Sequence, residues 1–222
     1  KGKVNALIIS PIDDARIAQA IDDFVDAGIF VVTVVNDIKS SKRHCYVGSD
    51  YFNGGETACA LLHALLGEQA KVGIVMGSRQ VLGHRERLEG FEHRMKSLPG
   101  FSIADVIEHG DDEICSYERT KNLLDDHPDI SAMFLLAAGV YGACRAIMQL
   151  PEGKRPVTIA FDSVPSTVEM MRQGIVKAIL YQHPVRQGRM AINLAFEYLV
   201  NGRMPDKKNY IMKNEIRLLE NL

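Results

Sequence analysis

The sequence predicts an α/β protein built from doubly wound parallel sheets. Three observations carry this. Short apolar runs alternate with helix-periodic stretches along the whole chain. Those runs are apolar throughout, not on every second residue, as strands covered on both faces are. Polar side chains gather just past the ends of the runs, where open α/β sheets bind ligands.

The elements follow in order. Val4–Ser10 is a buried strand, stopped by Pro11-Ile12-Asp13-Asp14, which also supplies a helix cap. Ala15–Ala27 places Ile17, Ala20, Ile21, Phe24 and Val25 at helical spacing, and Gly28 ends it. Ile29–Val35 is β-branched, Lys39–His44 is a polar loop, and Cys45–Val47 is a short strand. Gly54–Leu66 is a helix with Gly67 as its stop. Four strands then alternate with four helices: Val72–Met76 with Arg85–Leu98, Ile103–Glu108 with Ser116–Asp125, Ala132–Ala137 with Val140–Leu150, and Val157–Phe161 with Ser166–Gln173. Ala178–Tyr181 is a strand, Arg186–Val200 a long helix and Tyr210–Leu218 a last extended segment.

Composition narrows the function. The 222 residues carry a formal charge of −2 and are 46% hydrophobic, which suits one large domain or two small ones and argues against disorder. No apolar run reaches the ~18–20 residues of a membrane-spanning helix. The basic excess of a nucleic-acid-binding surface is missing. Cys45, Cys59, Cys115 and Cys144 stand apart, with neither C-x-x-C nor zinc spacing. A reducing, cytoplasmic location fits them. Lys1-Gly2-Lys3 runs straight into a strand and does not read as a secretory leader.

The strand ends read Ser10-Pro11, Asn36-Asp37, Ser49-Asp50, Gly77-Ser78-Arg79, Ala137-Ala138-Gly139, Asp162-Ser163 and Gln182-His183. These residues either cap helices or contact a ligand. Dinucleotide and phosphate-loop motifs, H-E-x-x-H and the G-x-S-x-G elbow are absent. Of seven histidines, only His84 and His183 lie near strand ends, without a spaced metal partner. No metal, cofactor or catalytic residue is therefore expected. His84, Arg85 and Arg87 place cations at a helix start, against its dipole, either as solvated surface groups or as a grip on a polar ligand.

Particular segments resemble a known family. Phe30–Ile38 with Ser40 and Arg43, Tyr46-Val47-Gly48-Ser49-Asp50 and Gly54-Gly55 are similar to the effector-binding module of lac-repressor-family (LacI/GalR) transcription regulators. His84–Phe91 resembles that family's R-x-x-G-F segment, Ala160-Phe161-Asp162 its aspartate-ended strand, and Gln182–Gly188 its Q-x-P-x-x-Q-G segment. The tail Asn214–Leu222 is also similar. Nearly the whole chain is covered, by weak motifs in the right order.

The resemblance implies a periplasmic-binding-protein type I fold, with two α/β lobes holding a sugar or similar small polar molecule. It implies lobes of residues 1–68 with 184–208, and 69–183 with 209–222. It further implies that the family's first β–α units and its DNA-reading head are not in this chain. Asp50, Arg87 and Asp162 are expected to face the ligand, since carboxylates accept from hydroxyl pairs and a guanidinium fork donates to them. Asn36, Asp37, Ser78 and Gln182 lie at matching strand ends. Tyr141 and Phe161 either stack on a sugar face or belong to the core. One departure stands out: the family's Asn-Asp after the strand ending Leu136-Ala137 is replaced here by Ala138-Gly139, with Arg79 and Tyr141 as candidate substitutes.

The expectation is thus a cytoplasmic sensing module of a LacI-family repressor, acting as a homodimer on operator DNA through a separate head, with no membrane partner. Ile192, Leu194, Phe196 and Leu199 serve either the core or a partner. Two other readings stay open: an exported sugar-binding protein of an ABC transporter, and a doubly wound enzyme using Cys115 or Ser78.

Overall fold

The computed structural model describes residues 4–222. The first elements are β1 (Ala6–Ile9), α1 (Ala15–Asp26), β2 (Phe30–Val34), β3 (Cys45–Ser49) and α2 (Tyr51–Leu66). Next come β4 (Ala70–Met76), α3 (Leu82–Met95), β5 (Phe101–Glu108), α4 (Glu113–Asp126), β6 (Ala132–Leu135) and α5 (Val140–Ile147). The chain closes with β7 (Val157–Phe161), α6 (Pro165–Arg172), β8 (Val176–Tyr181), α7 (Pro184–Asn201), β9 (Asn209–Met212) and β10 (Glu215–Arg217). These form two compact units. One holds Lys1–Asp50, Gln80–Gly83 and Gln182–Lys213; the other holds Tyr51–Arg79, His84–Tyr181 and Asn214–Leu222.

The first unit is a four-stranded parallel sheet in the order β1-β2-β3-β9. Successive residues of β2 serve opposite faces. Phe30 and Val32 pack with Ala191 and Ala195 of α7, while Val31 joins Ile21 of α1 and Ile38. Both faces being covered is why this strand reads as an unbroken apolar run. Asp14 caps α1 by accepting from the Arg16 amide at 2.8 Å, and Gly202 (φ 63°) ends α7.

The second unit is a six-stranded sheet in the order β10-β8-β7-β6-β4-β5. Its strands are parallel except β10, which runs antiparallel along β8. On one face Ile74, Phe134, Ile159 and Phe161 pack with Cys59, Leu62, Leu88 and Phe91 of α2 and α3. On the other, Val75, Met133, Leu135 and Ala160 pack with Leu123, Ala143, Ile147 and Met170 of α4, α5 and α6.

Two expected boundaries move. The first lobe was to run to residue 68, but α2 belongs to the second unit. The cause is a close crossing of α2 and α3 made by glycines. A Cβ on Gly55 would overlap the Arg87 carbonyl oxygen, and one on Gly90 would overlap that of Phe52. The tail, expected as one segment of the second lobe, divides. Asn209–Met212 pairs with β3 in the first sheet, while Glu215–Arg217 pairs with β8 in the second.

Two polar groups are buried into this framework. Asp37, after β2, is clasped by Arg43, whose Nε and Nη2 reach both carboxylate oxygens. Thr33 Oγ1 donates to the same carboxylate at 2.8 Å. Arg43 also donates to the Lys208 carbonyl (3.1 Å) and to Asn209 Oδ1 (3.0 Å), which ties the loop after β2 to the start of β9. His84, in the first turn of α3, has Nδ1 against the Ser78 backbone at 3.2 Å. Burial first, and then the Arg87 cation, hold its pKa down at about 4, although Asp111 and the Ser78 backbone pull the other way.

Three outcomes follow from this packing. Gly90→Val forces α2 and α3 apart and should cost about 1–3 kcal/mol, read from urea unfolding. Asp37→Ala strands a buried guanidinium and should cost roughly 3–5 kcal/mol by the same measurement. Because native His84 resists protonation, the unfolded chain takes up protons first as pH drops below ~6.5, so stability falls from there toward pH 4. Its share is roughly 2–3 kcal/mol, at about 1.4 kcal/mol per pH unit, and His84→Gln should flatten the curve by that amount.

Candidate functional site

In the second unit the carboxyl ends of the parallel strands lead into Gly77-Ser78 after β4, His109 after β5, Leu136–Gly139 after β6 and Asp162 after β7. Backbone shape at these ends is special. Among the described residues, Val35, Asp111, Asp162 and His183 are the non-glycine residues with positive φ (57–65°), and each lies within three residues of the end of a strand. Such conformations cost about 1–3 kcal/mol each and tend to gather at functional positions. Asp162 is held so by its amide, which donates to the Leu180 carbonyl at 3.0 Å. The residue is half-buried.

Arg87 is the centre of this end of the sheet. It projects from the second turn of α3 and is only 5% exposed. Its Nη1 donates to the Leu136 carbonyl oxygen past the end of β6. Its guanidinium carbon lies 4.0 Å from the Phe161 ring centroid and 4.8 Å from that of Tyr51. Aromatic faces attract a guanidinium, more so where water is excluded. The residues around it explain the arrangement. Gly54 lets α2 approach Phe161, since a Cβ there would already stand 3.0 Å from Phe161 Cζ. Phe161 in turn packs on Phe134 with centroids 5.9 Å apart.

Neighbouring groups are committed elsewhere. Arg79, a candidate substitute for the missing Asn-Asp, meets Glu108 through its amide (2.8 Å) and Nε (3.2 Å). Arg85 Nη1 donates to the Arg79 carbonyl at 2.8 Å. Ser78 is half-buried, its backbone against His84. Tyr141 is not among the groups around Arg87. It is 40% exposed between α4 and α5, beside Ile114, Tyr117 and Arg145, in a notch of about 280 Å³. Phe161 is 2% exposed and its ring meets the Arg87 guanidinium.

The first unit presents its own strand ends. Asp50, directly after β3, is exposed. Asn36 is half-buried, with Nδ2 3.4 Å from Ser10 Oγ. Asp37 is buried, with both its carboxylate oxygens held by Arg43. Gln182 is buried, and its carbonyl accepts from Gln187 Nε2 at 2.7 Å and Ser49 Oγ at 3.4 Å. Gln187 Nε2 also reaches Ser49 Oγ at 3.2 Å, so the Q-x-P-x-x-Q-G segment fastens the start of α7 to the end of β3.

Among the described residues, no group of three His, Cys, Asp or Glu side chains could hold a metal ion. Burial pushes the thiols of Cys45 and Cys59 up to about 11 and that of Cys144 to about 12, away from nucleophilic thiolate. Tyr51 was missed by sequence reasoning. Its position right after Asp50 marked a strand-to-helix junction, but only the α2–α3 crossing brings it to Arg87.

Comparison with known proteins agrees with this picture. Residues 1–203 match the family described as periplasmic binding protein domain. The chain is 31% identical over 204 residues to the ribose import binding protein RbsB of Bacillus subtilis strain 168, covering 88% of this chain and 63% of that protein. It is 27% identical to RbsB of Escherichia coli K12, covering 90% and 68%. Among solved structures, GanP, a glucose-galactose binding protein from Geobacillus stearothermophilus, superposes with a TM-score of 0.92 at 25% identity, covering 99% and 78%. The repressor expectation is corrected by these relatives, which are sugar-binding proteins and not transcription regulators. The motifs that suggested it are parts of the fold: Gly90 makes the α2–α3 crossing, Arg43 clasps Asp37, and Gln187 fastens α7. A doubly wound α/β fold of two units, the Arg87 cluster and the family match agree: this chain belongs to the periplasmic binding protein domain family.

Proposed function

We propose that this protein binds a monosaccharide and serves sugar import, with no chemical turnover of the sugar. The carrying observation is Arg87, a nearly buried guanidinium held between the Phe161 and Tyr51 rings at the carboxyl ends of the second sheet. A guanidinium offers five N–H groups in a fixed fork, and a carboxylate accepts from paired hydroxyls, which matches a polyhydroxylated guest. The ribose-binding relatives and the glucose-galactose-binding neighbour support the same ligand class. The proposed ligand residues are Arg87 and Asp162 first, then Asp50, Asn36, Ser78 and Gln182. An import role also places the protein outside the cytoplasmic membrane, in place of the cytoplasmic location expected for a regulator. Cell fractionation tests that placement.

The function is tested by calorimetric titration and thermal shift with D-ribose, D-glucose and D-galactose. A sugar at one hundred times its Kd should stabilise the protein by about 2.7 kcal/mol. Arg87→Ala should weaken that binding by roughly 30-fold or more, since truncating one partner of a buried charged hydrogen bond costs about 2–5 kcal/mol. Wild-type protein that binds none of a broad monosaccharide panel would overturn the reading.

A further inference from the structure

Tyr51 is 3% exposed and opens α2, where the chain enters the second unit. Its ring faces the Arg87 guanidinium at 4.8 Å, while Phe161 faces it at 4.0 Å. Arg87 Nη1 is fixed on the Leu136 carbonyl. An arginine side chain has many rotamers, and each one frozen only on binding lowers affinity. Two aromatic faces and a backbone acceptor together leave this guanidinium one orientation before any guest arrives. Phe161 is rooted in the core against Phe134. Tyr51 is the contact that comes from another helix, brought there by the glycine crossing at Gly55 and Gly90.

We propose that Tyr51 is a positioning residue: its ring face holds the Arg87 guanidinium in the orientation that receives sugar hydroxyls. This rests on the sugar-binding reading and adds to it a residue that need not touch the sugar. The ring is what matters, so phenylalanine should replace it and leucine should not.

The test compares wild type, Tyr51→Phe and Tyr51→Leu by two measurements. The first is titration with D-ribose, D-glucose and D-galactose. The second is NMR of the Arg87 guanidinium nitrogens without sugar, where a held group gives separate Nη signals and a rotating one gives averaged signals. Tyr51→Leu should lose about tenfold or more in sugar affinity and average the Arg87 signals. Tyr51→Phe should keep both affinity and separate signals. Leucine matching wild type in both measurements overturns the proposal. So does phenylalanine behaving like leucine, which would assign the role to the hydroxyl. If wild type binds none of the sugars, the function proposed above falls, and the NMR comparison alone decides whether Tyr51 holds Arg87.

Discussion

Where α2 crosses α3, there are no side chains at the point of contact. Gly55 lies on the Arg87 carbonyl and Gly90 on that of Phe52, so each helix rests on the backbone of the other. The rest of the second unit's polar end depends on that distance. It places Tyr51 over one part of the Arg87 guanidinium and brings Gly54 against Phe161, which lies over another. Without it, a long and flexible cation would sit in an apolar layer with no reason to point anywhere. Backbone contact is stiff because interiors are close-packed and neither helix can yield locally.

The first unit solves a different problem by a different means. Its polar strand ends are steadied by a buried ion pair and an amide. Arg43 spans Asp37, Lys208 and Asn209, which lie far apart in sequence, and Gln187 joins Ser49 to Gln182. A buried pair of this kind is not a large net source of stability, because desolvation offsets much of the attraction. Its effect is on arrangement. With Asp37 paired inside the fold, the charge presented after β3 is that of Asp50, and Asn36, after β2, is a neutral polar group.

Much of this was legible in the residues. Continuous apolar runs such as Phe30–Val34 and Ala132–Leu135 report burial on two faces directly, so strand positions and the parallel architecture followed from them. Arg87 and Asp162 were legible as strand-end or helix-start polar groups. Other features were not. Nothing local distinguishes Asp37 as a partner of Arg43 from Asp37 as a ligand residue, since the pair is settled by tertiary placement of the loop against β9. Tyr141 and Tyr51 are alike in sequence, each close behind a strand, yet only one meets the guanidinium. The assignment of α2 was missed because a helix after a strand usually packs on that strand's own sheet, and two glycines overrode the habit. The tail was read as one strand because its apolar spacing hides a change of sheet at Lys213-Asn214.

That change of sheet has a further consequence. Among the described residues β8 is followed outward by β10 alone, three residues laid antiparallel from Glu215 to Arg217, with the Arg217 guanidinium 3.5 Å from the Tyr181 ring centroid. An uncovered parallel strand as apolar as Val176–Tyr181 would be a template for a foreign strand, and hence for aggregation. The short tail strand therefore acts as a guard rail. It brings a charged residue to each end, Glu215 and Arg217, at the margin where self-assembly would otherwise begin.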